Sequence, residues 1–113
     1  MNKADFEGME GHKYLGVADC HGIESFLPYE KNKDIMSTLT LRAMYNRHRH
    51  AVFYMAVLTD KQVDLVENAI KAKDFKKALN RLKDCTVFLY DLPGKDNSWD
   101  MIPNSKLDPW RNG

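Results

Sequence analysis

KYLGVADCHGIESF, residues 13–26, opens as a strand and ends as a polar turn. Tyr14, Leu15, Val17 and Ala18 form a short apolar run, which reads as a strand over Lys13–Ala18 entering a core. The run stops at Asp19, and Asp19, His21, Glu24 and Ser25 then place four polar or ionisable side chains within seven residues. Gly22 admits a positive φ or a close backbone approach. A strand that ends in a polar, glycine-containing turn is where α/β proteins tend to build ligand sites. Leu27-Pro28-Tyr29 closes the turn, because the residue before a proline favours extended geometry.

Beyond the turn the spacing predicts a helix over Lys33–Arg47, with Asn32 or Asp34 capping its first turn. Ile35, Leu39 and Ala43 recur at i, i+4 and i+8, joined by Met36 and Met44. Its last turn and exit carry Arg42, Tyr45, Asn46, Arg47, His48, Arg49 and His50. Positive charge at a helix C-terminus stabilises by about 0.3–1 kcal/mol, which accounts for one or two cations. Five arginines and histidines within nine positions exceed that need. Ala51–Leu58, AVFYMAVL, is apolar at almost every position and fits a central strand covered on both faces.

Thr59-Asp60-Lys61-Gln62 reads as a capping box opening a helix that runs to about Ala72 and buries Val63, Val66, Ala69 and Ile70. Asp74 starts another helix, Phe75–Lys83, with Phe75, Ala78, Leu79 and Leu82 inward. Thr86–Leu92 is a third strand, halted by Pro93-Gly94. The tail from residue 93 is polar but holds Trp99, Met101, Ile102, Leu107 and Trp110, so it is expected to pack on its own domain or a neighbouring subunit. Residues 1–12 read as a flexible leader or a short edge element. The expectation is one α+β domain over 1–113, a small two-layer fold of order β-α-β-α-α-β. Its core spans 13–92 and its C-terminal tail is aromatic.

Composition narrows the function. With 43% hydrophobic and 29% charged residues and a net charge of +1, the chain lacks the basic excess of a nonspecific nucleic-acid binder, so no DNA or RNA polymer is expected as partner. No run approaches the roughly 18–20 apolar residues that cross a bilayer, so no membrane partner is expected. The acidic start MNKADFEGMEGH has no apolar middle like that of a signal peptide, so the expected location is cytoplasmic. Cys20 and Cys85 fit reduced thiols better than a disulfide framework.

Each candidate site has a plain alternative. Asp19-Cys20-His21-Gly22 matches the Asp-x-His-Gly opening of metallophosphoesterases, yet such enzymes need further ligand loops and the chain holds only His12, His21, His48 and His50. The plain reading is a turn in which Asp19 and Ser25 bond local amides. His48 and His50 have the i, i+2 spacing that shares a strand face, and with Asp19 or His21 they would suit zinc. Arg47 and Arg49 repel a divalent cation and favour phosphate, which arginine grips with two donors; the plain reading is a solvated basic edge. Cys20 adjoins His21 only in sequence, and Cys85 reads as a packing residue. Phe26, Tyr29 and Tyr45 have polar neighbours, so a base-stacking platform would come from them.

YLGVADCHGIESF, followed by a helix ending in LRAMYNRHRHAVFYMAVLT, resembles a family of small bacteriophage proteins of T4-type phages that act as nucleotide sponges. The resemblance covers roughly residues 13–92 and leaves the tail unmatched. It implies a compact homo-oligomer, such as a hexamer, that binds and sequesters a cyclic oligonucleotide or related second messenger of bacterial antiviral defence without degrading it. A phage-encoded protein would do so in the host cytoplasm, as an anti-defence factor with no cofactor and no catalytic residue.

The chemistry of the residues fits such a ligand. Arg42, Arg47, Arg49, His48, His50 and His21 would meet phosphates. Tyr45, Phe26 or Tyr29 would stack on bases, and Asp19, Glu24, Ser25 and Asn46 would read base edges beside Gly22. A ligand of that size is expected between subunits, with the tryptophan-bearing tail as a clasp. Two other functions compete. One is a metal-dependent phosphodiesterase or phosphatase using Asp19, His21, His48 and His50; the other is a host-protein interaction module with no small ligand.

Overall fold

A computed structural model describes residues 3–19, 21–36, 52–91 and 100–103. In chain order these form α1 (Lys3–Gly8), β1 (His12–Asp19), β2 (Gly22–Ile23), β3 (Leu27–Pro28), α2 (Tyr29–Asn32) and a 3-10 turn (Lys33–Met36). There follow β4 (Val52–Leu58), α3 (Asp60–Lys71), α4 (Phe75–Lys83), β5 (Thr86–Asp91) and β6 (Asp100–Pro103). The domain is α+β. Helix α1, the short strands β2 and β3, and β6 add to the order expected from sequence.

The apolar run before Thr59 becomes the middle strand of an antiparallel sheet ordered β2-β1-β4-β5-β6, with β3 also paired to β1. Strand β4 lies against β1 from His12↔Leu58 to Ala18↔Val52, and against β5 from Phe53↔Tyr90 to Val57↔Thr86. Alternate side chains of a strand go to opposite faces, so this run needs cover on both. It has both. Tyr54, Ala56 and Leu58 pack with Val66 and Ala69 of α3 and Ala78, Leu79 and Leu82 of α4. Phe53, Met55 and Val57 pack on the other face with Leu15, Val17, Phe88, Phe6 of α1 and Tyr29 of α2. Each of the valine, leucine, methionine and phenylalanine side chains among them, fully buried, contributes about 1.5–3 kcal/mol.

The two long helices start where their caps predict. Thr59 Oγ1 accepts the Gln62 amide at 3.3 Å and Gln62 Oε1 accepts the Thr59 amide at 2.8 Å, closing the capping box. Asp74 caps α4 through Oδ1, which accepts the Lys77 amide at 3.1 Å. Val66, Ala69, Ala78, Leu79 and Leu82 are buried as expected, and Val63 and Ile70 pack half-buried against them. Phe75 is the exception. It was expected inward and is 45% exposed, because the first residue of α4 lies at the end of the helix, where the core beneath it runs out.

Three further expectations change. Residues 3–8 are helical and Phe6 is fully buried, edge-on to both Tyr29 (5.1 Å between ring centroids) and Phe88 (6.2 Å). This part of the expected flexible leader is therefore anchored by one aromatic side chain. Where a helix was expected to start at Lys33, Tyr29–Asn32 form a four-residue helix and Lys33–Met36 a 3-10 turn, and Asn32 Nδ2 donates to the Pro28 carbonyl at 2.8 Å. The remainder of the expected helix, from residue 37, lies outside the described residues. Of the tail, residues 100–103 pair with β5 as an edge strand, and the rest, Trp99 and Trp110 included, lies outside them. Among the described residues no helix is long and apolar enough to cross a membrane.

Candidate functional site

The turn after β1 is held by its own polar groups. Asp19 Oδ1 accepts the amides of His21 at 2.8 Å and Gly22 at 3.2 Å, the usual work of aspartate in a turn. Gly22 sits at φ +144°, and a Cβ there would lie 2.5 Å from the Phe75 carbonyl carbon, so the turn rests directly on the first residue of α4. His21 and Glu24 face solvent.

Ser25 organises the next step of the edge. Its Oγ accepts the Val17 amide at 2.9 Å, replacing a ladder bond, while the Val17 carbonyl accepts the Glu24 and Ser25 amides at 2.9 and 3.1 Å. The Tyr54 hydroxyl donates to the Ser25 carbonyl at 2.5 Å. Gly16 lies beneath this contact: a Cβ there would come 2.1 Å from the Ser25 oxygen and 2.7 Å from the Tyr54 hydroxyl. Burial pushes the Tyr54 phenol well above its ordinary value.

The aromatic candidates are also engaged. Phe26 stacks on Tyr14 with centroids 4.1 Å apart and planes 1° from parallel, so one of its faces is covered. Burial, then the nearby Glu67 carboxylate and a hydrogen bond to it, raise the Tyr14 phenol. Tyr29 is buried, and its hydroxyl donates to Glu7 Oε1 at 2.7 Å. Cys85 is buried at the head of β5, its thiol donating to the Arg81 carbonyl at 3.4 Å; burial and Asp84 push its pKa up to about 11, which suits packing and not nucleophilic attack.

Arg42, Tyr45, Asn46, Arg47, His48, Arg49 and His50 lie outside the described residues, as does Cys20. Among the described residues no three His, Cys, Asp or Glu side chains gather as a metal-ligand set. Of the predicted site residues, Asp19, His21, Gly22, Glu24, Ser25 and Phe26 therefore share the β1 edge, with Asp19 and Ser25 bonded to backbone. Sequence reasoning passed over α4. Lys76, Asn80, Lys83 and Asp84 line an open depression of about 510 Å³ beside the turn's seat. The signal was present in KDFKKALNRLK, where Lys76, Asn80 and Lys83 recur at i, i+4 and i+7 outside the apolar stripe. No family model, no curated protein and no solved structure matches this chain.

Proposed function

We propose that the protein binds and sequesters a cyclic oligonucleotide or related nucleotide second messenger of bacterial antiviral defence, as a homo-oligomer and without degrading it. One observation carries the reading. Ala18 and Val52 face each other across the β1–β4 ladder. The polar turn begins at the residue after Ala18, and the arginine–histidine cluster ends at His50, two positions before Val52 in the sequence. The two stretches that bear the resemblance thus adjoin one pair of ladder residues. Arg47 and Arg49 supply guanidinium forks for phosphate oxygens, and His21 adds an exposed imidazole on the turn.

Calorimetry against a panel of cyclic di- and trinucleotides tests this, with chromatography of the ligand recovered after denaturation. Binding of one member, recovery of that ligand intact, and weakening by Arg47→Ala with Arg49→Ala are expected. A cleaved ligand, with turnover that stops on chelation, would replace sequestration by hydrolysis. No binding across the panel removes the reading.

A further inference from the structure

Helices α3 and α4 meet at a tight joint, Ala72–Asp74, whose amides are all bonded. Ala72 donates to the Asn68 carbonyl at 3.1 Å, Lys73 to that of Ile70 at 2.9 Å and Asp74 to that of Ala69 at 3.0 Å. The cleft between the helices is therefore fixed before anything enters it. It encloses about 180 Å³, with Leu65, Asn68, Ala69 and Ala72 on one side and Asp74, Lys77 and Arg81 on the other. Leu65 is 38% exposed, one of two large apolar side chains left in water among the described residues, and the two alanines beside it leave a slot of small methyl groups. Lys77 and Arg81 stand one turn apart on α4, both exposed. Neither side chain has an ion pair or hydrogen bond among the described residues. Asp74, the acid in the lining, has its Oδ1 engaged by the Lys77 backbone amide, so two free cations face one committed carboxylate.

We infer that the α3–α4 cleft docks a short acidic peptide segment of a partner protein. One leucine, methionine or aromatic side chain of the peptide enters against Leu65 and the alanines, and a carboxylate beside it meets Arg81 and Lys77. Size selects the occupant: small-molecule pockets run from about 300 to 1,000 Å³, and this cleft, at about 180 Å³, suits a single bulky side chain. Charge selects its neighbours. A guanidinium takes a carboxylate with two parallel bonds, and the lysine one turn earlier adds a point charge. An apolar anchor inside a charged rim is the arrangement in which a few residues carry most of the binding energy. A nucleic-acid strand would satisfy the cations and leave Leu65 in water. The cleft shares no lining residue with the turn after β1, so it stands whether or not the protein sequesters a nucleotide.

Isotope-labelled full-length protein is titrated with synthetic peptides while backbone amide shifts are followed. Each peptide has a central leucine, methionine, phenylalanine or tryptophan flanked by aspartate and glutamate; controls carry asparagine and glutamine flanks, or a central alanine. Shifts concentrated at residues 65–81 are expected from an acidic peptide with a bulky centre, weakening as salt is raised. Arg81→Gln with Lys77→Gln should weaken that binding at least about tenfold, and Leu65→Glu should abolish it. All three positions are exposed, so each variant should melt as wild type does. A panel in which no peptide moves these amides, or in which neutral flanks bind as well as acidic ones, overturns the inference. So do folded variants that bind as wild type does. Shifts with a single-stranded oligonucleotide and none with the peptides would assign the two cations to nucleic acid and overturn it as well.

Discussion

The turn after β1 and the outer side of α4 are both polar, and they touch through Gly22 and Phe75, yet their polar groups do different work. In the turn, Asp19 and Ser25 satisfy amides that the edge would otherwise leave unbonded. On α4 the backbone amides are satisfied within the helix beyond its Asp74 cap, so the Lys76 and Asn80 side chains are not needed for them. A polar cluster in a turn is first a backbone device. A polar row on a helix side is not called on to satisfy the helix's own amides.

The comparison is broken most forcefully at Gly16. A Cβ 2.1 Å from the Ser25 oxygen meets backbone, not a flexible side-chain end, so the edge must move. Overpacking costs about 1–3 kcal/mol, and Gly16→Ala belongs at or above the top of that range. Urea unfolding should show it; a loss under about 1 kcal/mol would mean that the β2–β3 edge is not held as described. Ser25→Ala comes next. It strands the buried Val17 amide, at a cost of about 1–3 kcal/mol.

Tyr54, which clasps Ser25 from below, gives the turn a pH signature. Unfolded, tyrosine loses its proton near pH 10.0; folded, burial holds the proton well beyond that. The unfolded chain therefore deprotonates first, and the stability fully present below pH 10.0 is lost as pH rises through the folded value. Cys85 acts with the same sign from its ordinary 9.0 towards about 11. Tyr54→Phe should flatten the upper part of the alkaline loss and Cys85→Ala the lower part, read from unfolding midpoints at pH 8 to 11. Unchanged slopes in both variants would show that neither group is protected by the fold.

Strands β1, β4 and β5 and the starts of α3 and α4 were legible because they are local. Seven successive apolar residues from Val52, a Thr59–Gln62 box and an Asp74 cap each specify their element from within it. Phe6, Tyr29 and Phe75 were not legible, because each outcome is set by distant partners. Phe6 is buried by Tyr29 and Phe88, from other parts of the chain. Tyr29 opens a short helix that has no side-chain cap and buries its ring, and Phe75 fits the inward stripe by period while lying beyond the core that stripe covers. The plain reading of Asp19 and Ser25 was open to sequence alone. What sequence lacked was the register that makes Ser25 answer Val17, eight positions away.

The smallest effects discriminate best. Asp19→Ala removes an acceptor shared by two amides in a partly exposed turn and should cost about 0.5–2 kcal/mol, the range measured for comparable side-chain caps. Lys76→Gln, on an exposed helix side, should stay within about 0.5 kcal/mol of wild type. The two variants should therefore separate: the turn variant loses stability while the helix variant melts as wild type does. Should Lys76→Gln cost as much stability as Asp19→Ala, the helix side would be part of the scaffold.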